Sequence, residues 1–148
     1  MPMTIRVQNR QRTVAIRTAA VKGCVRQIMA YLGCADRELS VVFGSDRLLQ
    51  ELNRTYRHKD RATNVLAFPQ HPTYEGEPDT AMLGDVIVSL PTAAREACAL
   101  RQSLEERVVY LLLHGILHLL GYDHERSVTQ RHHMEALERQ VLAHLQDA

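Results

Sequence analysis

The sequence predicts an α+β fold in which a small mixed sheet of four strands packs against about five helices. Short β-type segments are concentrated in the first part of the chain, and long segments of helical periodicity dominate the second. Glycine or proline stands at most of the predicted boundaries. The 148 residues, 45% of them hydrophobic and 24% charged, suit one domain over residues 1–148 whose core needs no disulfide support.

The first part of the chain predicts two strands, each followed by a helix. Partial alternation of apolar and polar residues predicts the first strand at 4–9, and apolar residues at helical spacing predict the first helix over 13–32. Gly33 is the expected stop of that helix. The segment 38–43 (ELSVVF) predicts the second strand, and Ser45 is the expected N-cap of the second helix.

Two further strands and a loop occupy the middle of the chain. Residues 64–68 (NVLAF) predict a short third strand that ends at Pro69, and the apolar run at 83–90 predicts a fourth strand in a central position. Residues 70–80 combine proline, glycine and acidic residues, which is typical of a loop.

Three helices complete the predicted order β-α-β-α-β-β-α-α-α. Pro91 suits the first turn of the third helix. Ser103 and Glu106 form a capping box that opens a strong fourth helix over 104–120. Amphipathic spacing predicts the last helix from about 128 to 145.

Neither membrane insertion nor secretion is expected. The longest apolar stretch, residues 108–122, has 15 residues and contains two histidines, whereas a membrane helix needs about 20 apolar residues. The N-terminal segment lacks the apolar core of a secretory signal. Three cysteines without a C-x-x-C pair favour buried thiols in a reducing compartment over a disulfide framework or a cysteine zinc site. The predicted location is therefore the cytoplasm.

The net charge of +1 conceals an uneven distribution of charge. Residues 1–61 hold 12 Lys and Arg against 5 Asp and Glu, a balance of +7. Residues 62–148 hold 6 against 12, a balance of −6. Such asymmetry is typical of a surface that meets a polyanion, but folding can also mix basic and acidic neighbours, and both interpretations stay open here.

Three histidines around the end of the fourth predicted helix form the most informative pattern. His114 and His118 are four residues apart and share a helix face, and Gly121 ends the helix so that His124 can turn back toward them. Three imidazoles with an open fourth position are typical of a catalytic metal site. All-nitrogen ligation fits Zn²⁺ best, with nickel, iron and copper as alternatives. The sequence therefore predicts one Zn²⁺ per chain, bound by His114, His118 and His124.

The same spacing occurs in the metzincin proteases, H-E-x-x-H-x-x-G-x-x-H, so the fourth helix is predicted to be a metzincin-like zinc helix. Gly115 stands where those proteases have their general-base glutamate. A peptidase of that type needs this carboxylate to accept a proton from the attacking water. The pattern thus keeps the metal ligands of the proteases and lacks their base.

Three blocks of the sequence resemble the YbeY family. Residues 114–124 (HGILHLLGYDH) resemble its HGxLHLxGYDH signature, residues 52–69 resemble its LNxxYRxKDxxTDVLSFP stretch, and residues 83–89 resemble its GDIxIS strand. The blocks lie in the same order in a chain of typical family length. Asn64 and Ala67 depart from the Asp and Ser that are common in the family, which puts a site role of those two positions in doubt.

The resemblance implies a function in ribosomal RNA maturation. Members of that family are bacterial rRNA maturation factors described as metal-dependent endoribonucleases. We therefore expect single-strand-specific cleavage in 16S rRNA processing, in small-subunit biogenesis and in its quality control. The implied partners are ribosomal RNA, the small ribosomal subunit and ribosome-assembly proteins. A zinc ion lowers the pKa of a bound water or polarises a phosphoryl oxygen, and fixed positive donors stabilise the phosphodiester transition state.

A basic cluster is the expected source of those donors. The resemblance places the functionally important arginine of the family at Arg57, whose guanidinium can bind phosphate oxygens as a fork. The predicted RNA-binding residues are Arg54, Tyr56, Arg57, Lys59 and Arg61. In this track the cations follow phosphates and Tyr56 stacks on a base. A surface pair of Arg57 with Asp60 and a solvated loop are the alternatives.

Asp85 is the second predicted catalytic residue. A carboxylate in an apolar strand is costly unless it is paired, so we expect Asp85 at a strand end facing the cleft, where it orients a histidine or acts as a base. A structural hydrogen bond is the alternative. Asp123 has the same options, and fixing the turn before His124 is the favoured one.

Two other functions remain open. In a non-catalytic ribosome-assembly factor the metal would only stabilise the helices. A metallopeptidase-like hydrolase would need a base other than the one missing at Gly115. The sequence has neither a glycine-rich phosphate loop nor a G-x-S-x-G elbow, which argues against nucleotide-driven and serine-hydrolase chemistry.

Overall fold

The computed structural model describes residues 5–70, 82–123, 125 and 127–147. These residues form a four-stranded mixed sheet and five helices, which confirms the predicted α+β class. The elements are β1 (Ile5–Asn9), α1 (Thr18–Tyr31), β2 (Glu38–Gly44), α2 (Asp46–Arg57), β3 (Val65–Pro69), β4 (Met82–Ser89), α3 (Leu90–Leu100), α4 (Leu104–Leu119) and α5 (Val128–Asp147).

The sheet has the strand order β1-β2-β4-β3, in which β1, β2 and β4 are parallel and β3 is antiparallel to β4. β4 is therefore central, as its apolar run predicts, and β3 lies at an edge. Alternation of side chains sends Val86 and Val88 into the main core with α1, α4 and α5. Ile87 points to the opposite face, where it is buried with Leu49 of α2 and Leu66 of β3.

α4 is the central helix of the main core. Nine of its 16 residues are buried, and it packs on β3 and β4 and against α1, α3 and α5. The predicted capping box is present, because Ser103 Oγ accepts the Glu106 N–H at 3.1 Å and the Glu106 carboxylate accepts the Ser103 N–H at 3.2 Å. With so much of its surface buried, the rotation of α4 about its axis is set by packing.

α1 begins at Thr18 rather than at the predicted residue 13. The side chain of Gln11 accepts hydrogen bonds from the backbone N–H groups of Thr13 and Val14 and donates one to the Val14 carbonyl. These bonds satisfy the local backbone without a helix. Val14 and Ile16 consequently pack against the core from an irregular segment.

The other elements begin and end within two residues of their predicted positions. α3 starts at Leu90 because Ser89 is its N-cap, with Oγ accepting the Thr92 N–H at 3.3 Å. The predicted loop at 70–80 lies outside the described residues except for Gln70.

The three thiols differ in their exposure. Cys34 is buried, Cys24 is partly buried and Cys98 is exposed. The expectation of buried thiols is wrong for Cys98, because that position of α3 lies on the solvent side of the helix. Within the described part of the chain, no helix combines the length and the hydropathy that crossing a bilayer requires.

A carboxylate joins the beginning of α2 to the beginning of α3. Asp46 accepts hydrogen bonds from Ser89 Oγ at 2.6 Å, from Thr92 Oγ1, and from Arg95 Nη2 at 2.9 Å. Burial raises the pKa of Asp46, but the hydrogen bonds from Ser89, Thr92 and Arg95 lower it by more, so the pKa lies below the usual aspartate value.

We expect Asp46→Asn to lower the free energy of unfolding by about 1 kcal/mol at neutral pH, a modest effect because the carboxylate is partly exposed to solvent. The folded-state pKa lies below the unfolded one, so this stabilisation is complete above the unfolded pKa and is lost as pH falls through the folded pKa. Urea unfolding between about pH 7 and about pH 3 measures it. Glu51→Gln, which removes an exposed ion pair of the same helix, is the matched control. An unchanged acid dependence in Asp46→Asn would contradict this role.

Candidate active site

One cavity of about 320 Å³ brings several of the predicted functional residues together. It lies between the edge strand β3, the end of α2 with the segment that follows it, and α4. Its lining includes Arg57, Lys59, Arg61, Asn64, His114 and His118. Three cations and two imidazoles therefore share one recess.

The two histidines lie on one face of α4. The ring centroids of His114 and His118 are 5.0 Å apart, and the His114 ring stacks on Tyr110 at a centroid distance of 6.3 Å and an interplanar angle of 28°. The spacing of four residues puts both rings on neighbouring turns of the same face. The buried remainder of α4 directs this face to the cavity.

A carboxylate that sequence analysis missed contacts this pair. Oε2 of Glu138, on α5, lies 2.9 Å from Nδ1 of His114. Glu138 is 4% exposed, and the side chain of His114 is 20% exposed. The sequence did contain an indication that Glu138 is buried, because this residue stands on the apolar stripe of α5 between the buried Met134 and Val141. Its partner on α4 could not be read from that stripe.

The chain leaves α4 through the predicted glycine stop. Gly121 has a φ of +101°, a conformation that glycine adopts without steric cost. Oδ1 of Asp123 then accepts the N–H of Glu125 at 2.9 Å, which is the turn-fixing role favoured for that aspartate. Glu125 itself lines the cavity. The predicted third ligand, His124, lies outside the described residues.

A buried asparagine holds the basic segment after α2. The helix ends at Arg57, and its C-cap His58 has a φ of +58° that turns the chain. Asn53 is 3% exposed, its carbonyl accepts the Lys59 N–H at 3.2 Å, and its Nδ2 donates to the Arg61 carbonyl at 3.0 Å. These bonds fold the segment back against α2, which places its cations at the cavity. Asn53 was not among the predicted site residues, because a helical asparagine carries no sign of its partners.

The structure divides the predicted RNA-binding cluster. Three of its five members line the cavity described above. Arg54 instead borders a separate depression with Asp60. Tyr56 is 64% exposed and contacts Phe68 edge-to-face at a centroid distance of 5.5 Å. Consecutive helical residues are rotated by about 100°, so Tyr56 and Arg57 face different sides of α2.

Asp85 does not join the histidines. Gly84 and Val86, its neighbours in β4, face α4, and strand alternation points Asp85 to the other side of the sheet. There it lines a different cavity, of about 420 Å³, together with Arg10 and Phe68. The expected position facing the histidine cleft is therefore wrong, and the reason is the two-residue period of the strand.

Gly115 marks a close approach of α4 to the sheet. A Cβ atom at this position would lie 2.6 Å from Cγ1 of Val86 in β4. A glutamate here, as in the metzincin pattern, would require the side chain of Val86 or the helix itself to shift. The lack of a carboxylate at this position, together with the close packing around it, argues against a peptidase of that type.

Similarity to known proteins decides the family. The sequence model of the family described as Endoribonuclease YbeY matches residues 6–146. The chain belongs to the YbeY family.

Relatives of this YbeY chain match it over nearly its full length. A protein of Geobacter metallireducens named Endoribonuclease YbeY is 46% identical over 145 residues, which are 97% of each chain. One of Geobacter sulfurreducens with the same name is 42% identical over 146 residues, 98% of this chain and 97% of the relative. The solution structure of TM1509 from Thermotoga maritima is similar with a TM-score of 0.66 and 25% identity, covering 96% of this chain and 89% of the other. The resemblance carried by three sequence blocks is confirmed.

The described residues of this YbeY chain fit one side of a metal site. Two imidazoles from one helix face share a polar cavity, and a buried carboxylate contacts Nδ1 of His114, as carboxylates commonly do with metal-binding histidines. Imidazole is a ligand that suits Zn²⁺. Within residues 5–70, 82–123, 125 and 127–147, no three His, Cys, Asp or Glu side chains form a metal-binding group. The predicted set of three depends on His124, which is outside these ranges.

Proposed function

We propose that this protein is a metal-dependent endoribonuclease that cleaves single-stranded ribosomal RNA during maturation of the small ribosomal subunit. The observation that supports this most strongly is the cavity shared by two histidines and three cations. The relatives from the two Geobacter species are named Endoribonuclease YbeY, which supports the same reaction. Action in small-subunit quality control, contact with ribosome-assembly proteins and a cytoplasmic location belong to the same proposal.

His114, His118 and His124 are the proposed ligands of one Zn²⁺ ion. When bound, the ion would supply Lewis-acid activation of water and of the phosphoryl group. The contribution of α4 is to present two of these imidazoles, those of His114 and His118, from one helix face. Since nine of the 16 residues of α4 are buried, packing in the core holds this face in place.

Arg57, Lys59 and Arg61 are the proposed phosphate-binding residues. Cleavage of a phosphodiester develops negative charge on the phosphoryl oxygens, and donors that are already in place stabilise that charge best. The guanidinium of Arg57 can bind two of these oxygens as a fork. Asn53 holds the backbone that carries Lys59 and Arg61, so the chain that bears these cations is in place at the cavity before RNA binds.

The shape of the site favours a single strand over a duplex. The histidines and the cations lie in a recess bordered by β3 and α4, and not on a protruding ridge. A phosphodiester of an unpaired strand can bend into such a recess, whereas the backbone of an A-form duplex is held in its helical path.

The proton-accepting role predicted for Asp85 fits Glu125 better. Glu125 lines the histidine cavity, whereas Asp85 lines a different cavity across the sheet. A general base must lie within hydrogen-bond reach of the attacking group, directly or through one water. We therefore assign proton acceptance to Glu125 in this proposal.

Cleavage of precursor small-subunit rRNA tests the function. We expect wild-type protein loaded with Zn²⁺ to cut the RNA, and we expect chelation or His118→Ala to reduce the rate at least about 100-fold, since both remove the metal. Added Zn²⁺ should restore the chelated wild type. His132→Ala, which changes an exposed histidine of α5, is the matched control and should cut at the wild-type rate.

Two results would contradict the proposal. Equal cutting by wild type and His118→Ala would assign the activity to something other than this site. No cutting by wild-type protein that holds zinc would make a ribosome-binding assembly factor with a structural metal the better description.

A further inference from the structure

Glu138 is the one acidic side chain that is buried among the described residues. It lies on α5, one turn after the buried Met134 and just before the buried Val141, so the hydrophobic stripe of this helix is interrupted by a carboxylate. Its Oε2 atom contacts Nδ1 of His114 at 2.9 Å. No other side-chain hydrogen bond of Glu138 is found within the described part of the chain.

The burial of this carboxylate is not explained by stability. Removing a carboxylate from water costs several kcal/mol, and a single contact to an imidazole offsets only part of that. An apolar residue of similar volume at such a position is often neutral or stabilising. Leucine would complete the stripe of α5, so the presence of glutamate points to an effect on His114 itself.

The contact places a hydrogen-bond acceptor at one of the two ring nitrogens of His114, Nδ1. A carboxylate oxygen that accepts a hydrogen bond at this contact requires the proton to be on Nδ1 of the ring. The neutral ring then has its lone pair on Nε2. The same bond, with the Tyr110 ring stacked against the imidazole, also holds the ring plane in one orientation.

We propose that Glu138 is a positioning residue for His114: it selects the Nδ1–H tautomer and fixes the ring, so that Nε2 is ready to bind a metal ion. This inference rests on the proposed function, because it takes His114 as a metal ligand. It adds an element of the site that lies on α5, outside the histidine motif.

The experiment compares wild type, Glu138→Leu and Glu138→Gln as metal-free and as zinc-titrated proteins. Leucine removes the acceptor, whereas glutamine keeps an oxygen that can accept the Nδ1–H bond. Glu135→Gln, at an exposed position of the same helix, is the matched control. Three quantities are measured: zinc affinity by competition with a chelator, the unfolding temperature of the metal-free protein, and the His114 tautomer from long-range ¹H–¹⁵N spectra.

We expect Glu138→Leu to bind zinc about 10- to 100-fold more weakly than wild type, the range typical for loss of a residue that orients a ligand. Glutamine should recover a large part of that loss, and Glu135→Gln should match wild type. In metal-free wild type, His114 should be in the Nδ1–H form, and in Glu138→Leu this preference should be lost. The unfolding temperature of metal-free Glu138→Leu should stay close to that of wild type.

A purely structural role gives a different pattern. The unfolding temperature of Glu138→Leu would fall while its zinc affinity stayed within about threefold of wild type, and this would overturn the inference. If the leucine variant does not fold, the Nε2–H form of His114 in metal-free wild type would overturn it as well. If wild type itself takes up no zinc, the proposed metal site and this inference are both wrong. If wild type binds zinc and Glu138→Leu binds it equally well, only the inference is wrong.

Discussion

Replacing Arg57 with alanine is expected to slow RNA cleavage by about 100- to 1000-fold. This is the range found when one hydrogen-bond donor that stabilises the charge of a transition state is removed. Arg57 lines the same cavity as His114 and His118, so its guanidinium can reach a phosphodiester held there. Zinc content and the unfolding temperature should stay at their wild-type values, because the residue is exposed at the end of α2. Single-turnover cleavage at saturating protein measures the effect on the chemical step rather than on binding.

Arg54→Ala is the matched control for this prediction. It removes the same side chain one turn earlier on α2, but Arg54 borders a separate depression. We expect its single-turnover rate to stay within about threefold of wild type, with at most a weaker, salt-dependent binding of RNA. Equal losses in both variants would show that α2 contributes general positive charge and not a placed donor. An unchanged rate in Arg57→Ala would remove that residue from the mechanism.

Gly84→Ala is expected to be the most destabilising of the single substitutions considered, with a loss of about 3 to 5 kcal/mol in the free energy of unfolding. Gly84 has a φ of +153°, which side chains rarely adopt. A Cβ atom there would lie 2.5 Å from the Phe68 carbonyl oxygen in β3 and 2.8 Å from Cδ2 of Leu119 in α4. The glycine thus lets the edge strand and the histidine helix approach β4 at one point.

Urea unfolding of Gly84→Ala and Gly23→Ala measures this effect against a control. Gly23 lies within α1 and has no atom within 4 Å of a built Cβ. There alanine should stabilise the protein by about 0.5 to 1 kcal/mol through helix propensity. A loss below about 1 kcal/mol in Gly84→Ala would show that β3 and α4 can shift at little cost. A large loss in Gly23→Ala would show that glycine is required on α1 for a reason other than space.

Prediction from sequence was most accurate where the determining interactions are local. The two ends of α4 were predicted correctly from the capping box at Ser103 and the glycine stop at Gly121. Both signals involve residues only a few positions apart in the chain. The same holds for the N-cap Ser45 of α2. α1 is the exception, since the side chain of Gln11 satisfies the preceding backbone in a way that the apolar spacing did not show.

The sequence by itself determined the α+β class, the order of the elements, the helix that carries His114 and His118, and the resemblance to the family. Periodicity, caps and motif spacing act within one element, so they can be read along the chain. Only the tertiary structure decided which face of β4 meets α4, and with it the separation of Asp85 from the histidines. It also decided that Glu138 of α5 contacts His114. These relations depend on how distant apolar surfaces are buried together, and no local pattern contains that information.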